Sequence, residues 1–130
     1  MNDILRTLEA SASGMQAQSA RLRHVSENIA NADTPGYRRK TISFNETMEA
    51  GRMTGKVETG QVQLDQRDLP EIFDPSHPMA GESGNYFGSN VDLVVEIADA
   101  REAQRSYEAN LKMFEQARQM STRLLELLRR

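Results

Sequence analysis

Cysteine and tryptophan are both absent from the 130 residues, and aromatic residues amount to only 5%. Without cysteine there is no disulfide, no thiolate metal site and no thiol nucleophile. With few aromatics and 38% hydrophobic residues, the apolar side chains are mostly aliphatic or small, which suits helix seams better than a large globular core. A basic excess is missing too: the formal charge is −3, so no cationic face neutralises phosphates and nucleic acid is not an expected partner. No stretch approaches the ~20 apolar residues of a membrane span. The opening MNDILRTLEASASG carries acids within its first ten residues and lacks the apolar run of a cleaved signal peptide. Length alone points to one domain.

Glycine and proline divide the chain. All four prolines and seven of the eight glycines lie between positions 35 and 88, which leaves both ends free to be helical. Charge divides it in the same way: residues 51–90 hold three basic and six acidic groups, and every other stretch is balanced. Near the N-terminus Leu5, Leu8, Ala12, Met15, Ser19, Leu22, Ser26 and Ile29 recur at 3,4 steps, the spacing of a coiled-coil seam. Gly14 within it costs ~1 kcal/mol against Ala, so close packing or a tolerated weakness is implied. A second helix reads from about Val91 to Leu128 along Leu93, Ile97, Ala100, Tyr107, Leu111, Phe114, Ala117, Ser121, Leu124 and Leu128, with Ser89 or Asn90 as its cap.

The expected fold is therefore mainly α. Two long terminal helices, within residues 1–33 and 90–130, pack as an antiparallel coiled coil forming one helical domain. Residues 34–89 form a turn, extended and irregular connecting region. Leading into it, Asn31 to Tyr37 (NADTPGY) reads as a helix stop and a type II turn, with Pro35 and Gly36 at its centre. Residues 55–64 suggest a short strand or hairpin, and 65–88 an irregular loop. Two such helices hide each seam on one side only, so apolar strips remain for a partner chain.

Chemistry is sparse. His24 has no ligand-type residue at i+4, and Asp74, Ser76 and His77 lie along a proline loop rather than converging on one point as a triad requires. No phosphate loop, dinucleotide fingerprint or calcium loop occurs. No catalytic residue, cofactor, metal or small-molecule substrate is expected. Met15, Met113 and Met120 fall on or beside the seams as packing residues. Arg38, Arg39 and Lys40 form the one basic cluster, a solvated run or a contact with an acidic surface of a neighbouring subunit.

The stretch SENIANADTPGYRR, residues 26–39, resembles the N-terminal signature of the bacterial flagellar axial proteins, the rod and hook group. The run NVDLVVEIADAREAQRSYEANLKMFEQARQM, residues 90–120, resembles the matching C-terminal signature. Short length, RRKTISF after the turn and IFDPSHPMA before the last helix resemble a proximal rod member. Ser89-Asn90-Val91 stands where that group often has Pro-Asn-Val. The resemblance implies a structural subunit of the flagellar basal-body rod that passes torque from motor to hook and filament. It also implies export through the flagellar type III apparatus and assembly in the periplasm with copies of itself and other rod proteins. In that setting Leu5, Leu8, Met15, Leu22 and Ile29 are expected to pack against Ile97, Tyr107, Leu111, Phe114 and Leu124, within or between subunits. Asn28, Asn31, Thr34, Pro35, Gly36 and Tyr37 are expected to set the helix end and turn, with Gly36→Val hurting assembly more than Gly84→Val. The terminal helices are expected to be largely disordered in the free monomer. The residues alone also fit a cytoplasmic coiled-coil adaptor or export chaperone.

Overall fold

The structure, a computed structural model, describes residues 2–129. Helices α1 (Asn2–Ala30) and α2 (Leu93–Leu128) flank six short strands: β1 (Lys40–Thr41), β2 (Phe44–Glu49), β3 (Arg52–Thr59), β4 (Gln63–Leu64), β5 (Glu71–Phe73) and β6 (Asn85–Phe87). α1 ends where Asn31 folds back. Its Nδ2 donates to the Glu27 carbonyl at 2.8 Å, and its Oδ1 accepts from the Thr34 hydroxyl at 3.0 Å. The Tyr37 N–H then closes a turn on the Thr34 carbonyl at 3.2 Å. Gly36 sits in that turn at φ +74°, the left-handed geometry that a type II turn demands after proline. α2 opens on Asp92, whose carboxylate accepts from the Val94 N–H at 3.0 Å. Neither Ser89 nor Asn90 is the cap, because both are engaged elsewhere: Ser89 Oγ donates to the Ala32 carbonyl, and Asn90 Oδ1 accepts from the Arg39 N–H at 2.7 Å.

The strands form three separate antiparallel pairs, β1–β4, β2–β3 and β5–β6. The main hairpin lies earlier than the expected 55–64. β2 and β3 join through Ala50 (φ 53°) and Gly51 (φ 78°), both left-handed as a primed two-residue turn requires. Thr59-Gly60 ends the hairpin instead of turning it. The Gly60 N–H donates to the Ser43 carbonyl at 2.8 Å, and Gln63 and Leu64 continue beside Thr41 and Lys40. Within 65–88, expected as irregular, Glu71 to Phe73 pairs with Asn85 to Phe87. The hairpin is clipped to α1: Val57 N–H donates to Ser13 Oγ at 3.0 Å, and Lys56 Nζ meets Glu9 at 3.2 Å.

The two helices pack against each other in one steady register. Asn28 reaches Glu96, Arg21 reaches Asp99 and Glu102, and Gly14 faces Asn110. Fourteen residues toward the start of α1 thus match fourteen residues along α2. A Cβ on Gly14 would stand 2.7 Å from the Asn110 amide, so the glycine is there for close approach. The shared face consists of Ser11, Ala17, Val25 and Asn28 against Glu96, Ala103 and Ala117. Among the described residues the buried hydrophobic set is three alanines and one valine. Such small side chains bring the backbones together but remove little apolar area from water.

Candidate functional site

The densest polar cluster joins both helices to the turn, and Asn28 is its centre. This side chain is 1% exposed and uses its whole bonding capacity. Nδ2 donates to the Lys40 carbonyl at 3.0 Å and to Glu96 Oε2 at 3.3 Å, while Oδ1 accepts from the Tyr37 hydroxyl at 2.8 Å and the Lys40 N–H at 2.9 Å. Glu96 is 0% exposed and also accepts from Arg39 Nε; Arg39 Nη2 bonds Asp99. Asn90 locks the turn from the other side, donating to the Asp65 and Arg67 carbonyls at 3.0 and 3.3 Å.

Electrostatics follow this geometry. Burial works against the charge on Arg39, but the hydrogen bond and charge of Glu96, with Asp99 and Asp65, outweigh it and raise the guanidinium above its usual value. Burial pushes the Tyr37 phenol up, and Glu27 and Glu96 push it further against Lys40. The Lys40 hydrogen bond draws the Glu27 carboxyl below its ordinary value, and the same bond raises Lys40. A buried ion pair of this kind adds little net stability over an apolar substitute, yet losing one partner strands the other, so the cluster fixes register more than it adds stability.

All three residues of the basic cluster are occupied inside the chain. Arg38 donates to the Asp65 and Arg67 carbonyls at 3.0 and 2.9 Å, Arg39 holds Glu96 and Asp99, and Lys40 meets Glu27 at 2.9 Å. The matching acids and carbonyls lie within the same molecule. Of the carboxylates that face them, Glu96 stands alone inside the apolar run Leu93 to Ile97.

The seam residues lie beside the shared face rather than on it. Leu8, Met15, Leu22 and Phe114 are half-buried; Leu5, Ile29, Ile97, Tyr107, Leu111 and Leu124 are exposed. Apolar spacing pointed to these positions, but the helices approach along the smaller set at seven-residue intervals, Ser11, Gln18 and Val25 against Glu96, Ala103, Asn110 and Ala117. An open aliphatic strip therefore runs the length of α2. Elsewhere, Ser76 Oγ donates to Asp74 Oδ1 at 2.6 Å, while the His77 ring stacks on Tyr86 at 3.9 Å and its Nδ1 accepts from the Met79 N–H at 3.0 Å. The serine is thus paired to the acid and the histidine turned away, which is turn chemistry rather than a nucleophile beside its base. No helix among the described residues is long and apolar enough to cross a membrane.

Two family descriptions match the chain: flagella basal body rod protein over residues 8–38, and flagellar basal body rod FlgEFG protein C-terminal over residues 82–127. The chain is 38% identical to the flagellar basal-body rod protein FlgC of Agrobacterium fabrum, covering 99% of this chain and 98% of that one. It is 34% identical to FlgC of Aquifex aeolicus, over 97% and 98% of the two chains, and 31% identical to FlgC of Salmonella typhimurium, over 95% and 97%.

Proposed function

The chain belongs to the FlgC-type flagellar basal-body rod family, and from that premise we propose that it is a two-faced brick, joined internally by polar contacts and externally by aliphatic ones. It is a structural subunit of the basal-body rod and not an enzyme. Residues 1–33 and 90–130 act as one inner domain, an antiparallel coiled coil, and residues 34–89 as an outer connecting region making lateral contacts. The inner domain packs against copies of itself and other rod proteins in the periplasmic rod, after passage through the flagellar type III apparatus, and there transmits torque. Leu5, Leu8, Met15, Leu22, Ile29, Ile97, Tyr107, Leu111, Phe114 and Leu124 supply the contacts between subunits. The turn residues Asn28, Asn31, Thr34, Pro35, Gly36 and Tyr37 hold the angle at which the outer region leaves the helices.

One observation carries this reading: the helices meet through alanine, serine, glycine and asparagine while leucine, isoleucine and tyrosine stay in water. Exposed aliphatic strips of this extent mark a partner surface. A thin helix pair also suits a subunit that must thread a narrow export channel and gain its packing energy on assembly. Purified basal bodies should contain this chain in the rod fraction. Its confinement to the cytosol in cells with complete basal bodies would overturn the proposal.

A further inference from the structure

Beyond the helix pair, residues 70–88 form an arm. Its base is closed by the Gly88 N–H donating to the Pro70 carbonyl at 2.8 Å, and the Gly36 N–H ties it to the turn through the Phe87 carbonyl at 3.1 Å. The β5–β6 ribbon within it has two unlike faces, because side chains alternate along a strand. On one face Ile72 stands opposite Tyr86, whose ring is covered by His77 at 3.9 Å. On the other, Glu71 stands opposite Phe87 with Phe73 beside them; all three are exposed, Phe73 at 71%. The arm and the chain leading into it are also acidic. Asp68, Glu71 and Glu82 meet no cation within 4 Å among the described residues, and the Asp74 carboxylate is bonded to Ser76. The bases at its foot are engaged: Arg67 by the Asp65 carboxylate, Arg38 by the Asp65 and Arg67 carbonyls.

A complementary surface lies on α2. Val94, Ile97, Ala98, Arg101 and Arg105, with Glu102 between them, line a groove formed by α2 alone, and Val94 is 77% exposed. The acids around it are engaged within the chain: Glu102 meets Arg21 at 3.3 Å, Asp99 meets Arg21 and Arg39, and Asp92 caps the helix. Arg101 and Arg105 meet no carboxylate within 4 Å among the described residues. The free charge of the groove is therefore positive, and the helix turns mixed again further on, at Glu108 and Lys112.

We infer that the bare face of the arm in one chain docks in the α2 groove of a second copy. This rests on the reading of residues 34–89 as the region of lateral contacts and names the surfaces that meet. The two phenyl rings cover Val94 and Ile97 and lie against guanidinium groups, which are drawn to aromatic faces, while Glu71 meets Arg101. The spacing agrees: Glu71 and Phe73 are about 7 Å apart along their strand, and Arg101 and Ile97, one helical turn apart, are about 6 Å apart. Arm against arm would bring carboxylates together, and groove against groove arginines, so like does not dock on like. Two different patches on one molecule make a heterologous contact, which passes from copy to copy.

The absence of native cysteine makes the test clean. Phe73→Cys and Ile97→Cys are made in separate full-length chains, with Met48→Cys as an exposed control on the β2–β3 hairpin, and helix content and melting temperature are matched by circular dichroism. Mild oxidation of the Phe73→Cys and Ile97→Cys mixture should give a cross-linked 1:1 dimer at least tenfold above either variant alone or any mixture with the control. Glu71→Arg added to the first chain, or Arg101→Glu added to the second, should lower that yield at least fivefold, and the two together should restore it to within twofold. Yields in the mixture no higher than the control, or charge reversals that neither lower nor restore them, would overturn the contact. So would a chain carrying both cysteines that closes on itself as a monomer, since the arm would then lie on its own helix. If the chain is found in basal bodies and the mixture does not cross-link, only this contact fails. If the chain is absent from basal bodies, the rod reading fails whatever the cross-linking shows.

Discussion

At one end of the helix pair, Asn28, Arg39 and Glu96 are enclosed and bonded to each other, to the turn and to both helices. At the other end, Leu124, Leu125, Leu127 and Leu128 lie in water with no counterpart on α1. The first end decides how one chain folds, because a hydrogen-bonded polar cluster tolerates only one register. The second is the kind of surface that a neighbour completes. In this chain the usual division of labour is shifted: polarity shapes the interior, and apolarity is held for contacts between molecules.

Substitutions at the polar end should therefore act on the free chain, where this cluster is predicted to hold together the helix pair that residue order alone leaves disordered. The largest effect is expected from Glu96→Ala, which strands the Arg39 guanidinium and removes an acceptor from Asn28; breaking a buried pair by deleting one partner costs about 3–5 kcal/mol. Urea unfolding of the purified chain measures it, and a loss under about 1 kcal/mol would show that the cluster is peripheral to the fold. Asn28→Ala should follow at about 1–3 kcal/mol, the cost of leaving buried groups such as the Tyr37 hydroxyl and Lys40 N–H without a partner.

Glycine substitutions sharpen the contrast inside the middle region, where the order for the stability of the free chain is set by what a Cβ would meet, separately from the order expected for assembly. Gly36 and Gly84 both have positive φ, +74° and +81°, but a Cβ on Gly36 meets nothing within 4 Å, whereas one on Gly84 would stand 2.9 Å from the Phe73 ring and 3.2 Å from Pro75. Both valine variants bear the left-handed strain of about 1–2 kcal/mol. Gly84→Val adds a clash and should melt at the lower temperature; equal melting points would mean that the Phe73 ring simply moves aside.

The smallest effect is on pH dependence. Lys40 draws Glu27 below its ordinary 4.5, and the Arg67 backbone N–H draws Asp65 below 3.8. Lowered acids contribute stability that is present above their unfolded values and is lost as pH falls through the folded ones. The raised Tyr37 contributes below its ordinary 10.0 and loses that contribution as pH rises through its folded value. Stability should decline gently on the acid side below about pH 4.5, and Glu27→Gln with Asp65→Asn should flatten that limb. An unchanged acid limb in the double variant would place the acid sensitivity elsewhere.

Much of this architecture can be read from residue order. The helices stand where glycine and proline are sparse, and the Pro35-Gly36 pair marks a turn whose geometry matches its type. The hairpin turn escapes such reading because one of its left-handed residues is Ala50, which carries no turn signal of its own. The cap at Asp92 was obscured by Ser89 and Asn90, equally good capping types that tertiary contacts use instead. The face shared by the helices was missed because apolar periodicity finds the greasiest side, whereas here closeness is set by the smallest side chains. The available signal was the seven-residue spacing of Glu96, Ala103, Asn110 and Ala117, together with one acid amid an apolar run.

The most direct measurement combines two readouts on one protein, the Ile97→Gln/Leu111→Gln variant. Both side chains are exposed, at 48% and 38%, so the free chain should unfold within about 0.5 kcal/mol of wild type, as surface substitutions do. Its incorporation into basal bodies, measured in cells lacking the native chain, should fall to background. Wild-type levels of the variant in purified rods, or a free chain that no longer folds, would contradict the separation of an inner polar face from an outer apolar one.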